Sequence, residues 1–76
     1  MRWRWIGDGQ VFKGKTYEKV VRAMAALKLD EPTSTESYRR ATARRVSEMY
    51  NVIIDADTDR DFLRSLEAAK LVERLS

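Results

Sequence analysis

The sequence predicts an α+β fold, with an N-terminal β-hairpin and a short third strand packed against three helices. Three observations carry this. A D-G turn signal separates two alternating runs near the N-terminus; three stretches repeat apolar residues at helical spacing behind Thr or Ser; and Val52, Ile53 and Ile54 form a brief apolar run between Asn51 and Asp55. With 76 residues the chain reads as a single small domain, 1–76. Small domains bury a smaller share of their surface than large ones, so the core is thin and the expected stability is roughly 3 to 5 kcal/mol.

The hairpin comes first. RWRWI (2–6) and QVFK (10–13) flank Gly7, Asp8 and Gly9. If Asp8 and Gly9 are the two loop residues of a type I′ turn, Ile6 faces Val11, Trp5 faces Phe12, and Trp3 lies opposite Gly14. Trp3, Trp5 and Phe12 then share the face that meets the core, and Arg2, Arg4, Ile6, Val11 and Lys13 share the other. A three-residue loop, Gly7-Asp8-Gly9, would shift the register by one and scramble the pairing.

Helix one is expected to start behind Thr16 as N-cap, with Glu18 complementing the positive end of the helix dipole. Tyr17, Val20, Val21, Met24 and Leu27 recur on one stripe. The run LDEPTST (29–35) ends it with the single proline and leads to Ser34, the next N-cap. Helix two runs to about Tyr50, with Asn51 suited to a left-handed C-cap. The Val52, Ile53 and Ile54 run then reads as a short buried strand or extended connection beside the hairpin. Thr58 caps helix three, with Asp61 in a variant of the capping box, and Phe62, Leu63, Leu66 and Ala69 line its inner face. Leu71, Val72 and Leu75 either extend that helix or fold back.

Helix two, STESYRRATARRVSEMY (34–50), carries four arginines. At 100° per residue, Tyr38, Ala41, Thr42, Val46 and Met49 form one face with Arg45 in its middle, while Arg39, Arg40 and Arg44 spread over the opposite side. Arg45 is therefore expected to be a buried charge, either structural or site-forming. In the structural reading it pairs with a carboxylate, Glu18, Asp55 and Asp57 being the nearest by topology. In the functional reading it lies at the rim of a cleft between helix two and the sheet, poised for a phosphate or a partner's carboxylate. Arg39, Arg40 and Arg44, with Arg2, Arg4 and Lys13 from the hairpin, are the candidate partner-binding or nucleic-acid-binding cations, although Glu36 and Glu48 can pair with Arg40 and Arg44 at i, i+4 spacing.

The formal net charge is +3, unevenly spread: residues 1–30 are basic and 51–76 lean acidic. Histidine and cysteine are both absent. Their absence removes the usual general base near neutral pH, the thiol nucleophile and the commonest metal ligands. No P-loop or dinucleotide fingerprint occurs, and the chain is read as a non-enzyme without cofactor or metal. Asp55, Asp57 and Asp59 imitate the start of a calcium loop, but Arg60 stands where glycine is needed and Leu66 where the bidentate glutamate is needed. The Trp-Arg alternation reads as a strand rather than a membrane-active peptide, and no stretch approaches the roughly 20 apolar residues of a span. No secretory signal is recognised in the first residues, and a cytoplasmic location is expected.

Gly14, Thr16, Val20, Val21 and Met24, then Tyr38, Ala43, Arg45 and Val46, then Phe62, Leu63, Leu66 and Ala69 resemble a loose class of small uncharacterised proteins of phages and other bacterial mobile elements, over about residues 12–72. That resemblance implies a cofactor-free protein that binds a host protein or nucleoprotein complex stoichiometrically, in the manner of inhibitors of bacterial defence systems such as anti-CRISPR proteins. The alternative from the residues themselves is direct nucleic-acid binding through the arginine-rich second helix. A third reading is a self-associating structural module, so monomer and homodimer are both compatible with the sequence.

Overall fold

The computed structural model describes residues 1–26 and 34–76. In chain order these form β1 (Arg2–Trp5), β2 (Val11–Lys13), α1 (Tyr17–Ala26), α2 (Thr35–Tyr50), α3 (Asp59–Ala68) and β3 (Val72–Arg74). The strands make one antiparallel sheet in the order β2-β1-β3, so the expected α+β architecture holds and the first strand is the central one. Trp3, Phe12 and Val72 on one sheet face join a single core with residues of all three helices. Arg2, Arg4, Val11 and Lys13 on the other face are exposed.

The hairpin turn is longer than expected. Trp3 pairs with Phe12 and Arg4 with Val11, the Trp5 amide donates to the Gln10 carbonyl at 2.9 Å, and residues 6–9 make the turn. Gly9 takes φ 76°, a left-handed conformation that costs glycine little, and its amide donates to the Trp5 carbonyl at 2.8 Å. Asp8 Oδ1 accepts from the Gln10 amide at 2.9 Å, so Asp8 holds the turn with its side chain. Relative to the two-residue loop, the register has slipped by two. A two-residue slip returns every side chain to its own face, which is why Trp3 and Phe12 are still buried although each has a different partner.

The chain leaves β2 at Gly14 and passes directly over the start of α1. A Cβ at Gly14 would lie 2.6 Å from the Val20 amide nitrogen and 2.8 Å from the Lys19 carbonyl carbon. Only glycine permits that approach. Thr16 Oγ1 then accepts from the Lys19 amide at 3.2 Å, supplying the expected cap, and Val20, Val21 and Met24 are buried as the stripe requires. Leu27, placed on the same stripe by its spacing, and residues 29–33 of the connection lie outside the described residues.

α2 begins where Ser34 Oγ accepts from the Ser37 amide at 3.1 Å and ends at Asn51 in the left-handed conformation, φ 55°. Both caps are the expected residues. Of the two readings of the Val52, Ile53 and Ile54 run, the strand beside the hairpin is overturned and the connection stands, for the run pairs with no strand among the described residues. Its backbone alternates faces nonetheless: Ile54 is 7% exposed and joins the core, whereas Ile53 is 94% exposed. The place beside β1 belongs instead to β3, with Trp5 opposite Val72, Arg4 opposite Glu73 and Trp3 opposite Arg74.

α3 is capped by Thr58 Oγ1, which accepts from the Asp61 amide at 3.0 Å, and it buries Phe62, Leu63 and Leu66 completely. Its end explains β3. The Leu71 amide donates to the Leu66 carbonyl at 3.0 Å and the Lys70 amide to the Glu67 carbonyl at 2.9 Å. These are the two bonds of a Schellman turn, with Lys70 at φ 62° in the position glycine usually takes. The turn reverses the chain in two residues, so Val72 lands against Trp5.

Candidate binding face

α2 determines which arginines are available, and its roll differs from the expected one. Its buried residues are Tyr38, Arg39, Thr42, Ala43 and Val46. Arg45, expected to be buried, is exposed, and so are Ala41 and Met49 from the expected apolar face. The buried arginine is Arg39, at 8% exposure. Helical spacing alone puts it on the solvated side. Arg39 Nη1 pairs with Asp59 Oδ1 at 2.5 Å, Nε donates to the Ala56 carbonyl at 3.0 Å and Nη2 to the Asp57 carbonyl at 3.4 Å. A guanidinium presents five donors in a fixed fork, and this one clamps the entry to α3 onto α2.

The three carboxylates proposed for Arg45 have other positions. Glu18 pairs with Arg22 along α1, Asp55 Oδ1 accepts from the Asp57 amide at 2.8 Å, and Asp57 gives its carbonyl to Arg39. The acidic run 55–61 thus orders a loop and caps a helix.

The remaining candidate cations are largely engaged. Arg40 pairs with Glu36 at 3.3 Å and Arg44 with Glu48 at 3.4 Å, the i, i+4 pairs anticipated from spacing. Arg4 pairs with Glu73 across the sheet, and Arg2 donates to Ser76 Oγ at 3.2 Å. Arg2 sits directly opposite Lys13 in the register, so the exposed sheet face stays basic at that end. The outer face of α2 does not: its charges are paired along the helix.

Arg45 differs from all of these. It forms no ion pair with any described carboxylate and lines a cleft of about 250 Å³ between α2 and the hairpin, with Trp5, Phe12, Met24 and Tyr38 among its walls. Burial pushes the Tyr38 phenol above its usual range, against the opposing pull of the nearby Thr42 hydroxyl and the Arg45 charge. The phenol therefore stays protonated near neutral pH. Tyr38 is fixed from behind by Phe62, whose ring meets it edge-on at 6.1 Å.

A second groove, of about 440 Å³, opens on the other side of Trp5 and is lined by Ile6, Tyr50, Lys70 and Leu71. Trp5 and Asp8 belong to both, so the hairpin tip forms a ridge between them. Two of the second groove's lining residues are exposed apolar side chains: Ile6 is 49% and Tyr50 54% exposed. The sequence reading placed Ile6 on the outer strand face, and its exposure follows. The sequence does not single out Tyr50 and Ile53 as surface residues, and their one signal is position: both lie within two residues of Asn51, where the helix ends and periodicity stops applying.

No helix of the described residues is long and apolar enough to cross a membrane. Comparisons of the chain with protein-family models, curated proteins and solved structures return no match.

Proposed function

We propose that this protein is a non-enzymatic binding module that docks stoichiometrically on a macromolecular partner through the corner formed by the hairpin tip and the C-terminal end of α2. One observation carries the reading: Ile6 and Tyr50 line the same groove beside Trp5 and leave large apolar side chains about half exposed to water. Burying a side chain of this size is worth about 1.5 to 3 kcal/mol, a gain the isolated domain forgoes and a partner can collect. Trp5, half-buried at the ridge, adds an aromatic of the type enriched at interface hot spots.

The absence of histidine and cysteine supports a binding role over catalysis. The partner class follows from the resemblance to mobile-element proteins: a host protein or nucleoprotein complex in the cytoplasm, with inhibition of a defence complex as the consequence of occupancy. Direct nucleic-acid binding through α2 loses support, since Arg39 is buried in the core and Arg40 and Arg44 are paired with Glu36 and Glu48.

The test is affinity capture from bacterial lysate with wild type, Tyr50→Glu and Arg60→Glu, the last on an exposed site of α3 outside both grooves. A protein retained near 1:1 by wild type and Arg60→Glu and lost by Tyr50→Glu is the expected result. Retention that ignores Tyr50→Glu, or no stoichiometric retention at all, rejects it.

A further inference from the structure

Of the four arginines on α2, Arg39, Arg40 and Arg44 are paired with carboxylates and Arg45 is not, among the described residues. Arg45 also lines a cleft. Trp5, Phe12 and Met24 give that cleft apolar walls, and Gln10 and Tyr38 add polar groups beside the guanidinium. The surface the cleft opens to solvent is more polar than apolar, which suits a charged group set beside a smaller apolar one.

We infer that the Arg45 cleft receives a carboxylate of the protein partner, an acidic side chain standing next to an apolar one. The inference rests on the protein-binding reading above and adds the chemistry read at that face. Charge argues for a carboxylate. Phosphate recognition gathers several cations or a row of amides, whereas this cleft holds one guanidinium and, on the same wall as Trp5, the carboxylate of Asp8. A dianion would be repelled by Asp8 more than a monoanion would. The planar guanidinium fork matches a carboxylate in two parallel hydrogen bonds, and a protonated Tyr38 phenol is available as a further donor.

The test uses isotope-labelled protein and the blocked dipeptide acetyl-leucyl-glutamate amide, titrated to millimolar concentration while the Arg45 Nε and Trp5 indole resonances are followed by NMR. Saturable shifts of both are expected, with affinity falling at least about tenfold for the glutamine analogue and for Arg45→Gln, as loss of a charge-assisted hydrogen bond dictates. Arg44→Gln should bind as wild type does. Equal binding of the glutamine analogue, a stronger response to inorganic phosphate, or no shift at Arg45 overturns the inference. Carrying Arg45→Gln through the lysate capture separates the two readings. If the partner is retained in full by Arg45→Gln but lost by Tyr50→Glu, the carboxylate site falls while the binding face stands.

Discussion

Arg39 on α2 and Asp59 at the first turn of α3 form a 2.5 Å ion pair whose side chains are only 9% and 18% exposed. The pair fastens two helices and orders the loop between them, because the same guanidinium takes the carbonyls of Ala56 and Asp57. Arg39→Ala leaves a poorly solvated carboxylate and two carbonyls without their donor, and should cost about 3 kcal/mol or more. That is most of the stability expected for a domain of this size. Arg40→Ala and Arg44→Ala, which break exposed pairs, should each cost no more than about 0.5 kcal/mol. Urea unfolding followed by tryptophan fluorescence ranks the three; equal midpoints would contradict the clamp.

Why the sequence pointed to Arg45 instead is a matter of symmetry. Arg39 and Arg45 lie three residues either side of Thr42, and so about 60° either side of it around the helix. Ala43 and Ala41 fall likewise on the two flanks. An arginine and an alanine stand on each side, and periodicity cannot choose between them. Tertiary partners decide the roll: Asp59 and two carbonyls wait on the Arg39 side, and the Arg45 side opens onto the cleft. The caps, by contrast, were legible, since Thr16, Ser34, Asn51 and Thr58 act within three residues of themselves. The third strand was misplaced because the turn that creates it has Lys70 where the usual signal is glycine.

That lysine yields the second prediction. A non-glycine residue in the left-handed region costs roughly 1 to 2 kcal/mol, part of which glycine returns as backbone entropy of the unfolded chain. Lys70→Gly should therefore stabilise the domain by about 0.5 to 1 kcal/mol, seen as a higher urea midpoint with unchanged slope. A destabilised variant would mean that the Lys70 side chain contributes more than its backbone costs.

Gly14 should tolerate nothing larger. Its would-be Cβ meets backbone atoms of Lys19 and Val20 rather than a movable side chain, so Gly14→Ala must push β2 and α1 apart. The expected loss is about 2 kcal/mol or more. Gly7→Ala, where a Cβ meets nothing within 4 Å, should stay within about 0.5 kcal/mol. Thermal melts of the two variants compare them directly, and similar melting temperatures would remove the close approach from the account.

Tyr38 predicts a pH dependence on the alkaline side. Its phenol is raised above the usual value, chiefly by burial, so the folded state holds its proton to higher pH than the unfolded chain does. Below about pH 10, the unfolded value, this contribution is fully present. Above that, the unfolded chain releases the proton while the folded one keeps it, and stability falls as pH rises until the folded phenol also ionises. Tyr38→Phe should flatten that part of the decline in stability measured from pH 8 to 11. A variant that tracks wild type across the range would show that other groups account for it.

The sheet order sets a timetable for acquiring the fold. Trp3 meets Phe12 early but meets Arg74 only across nearly the whole chain, and a two-stranded hairpin alone is marginal in water. During synthesis the central strand thus waits, with one edge unpaired, until residues 72–74 emerge. Substitutions in the short β3 should accordingly be felt as failures of maturation, in chains whose helices and hairpin are otherwise sound.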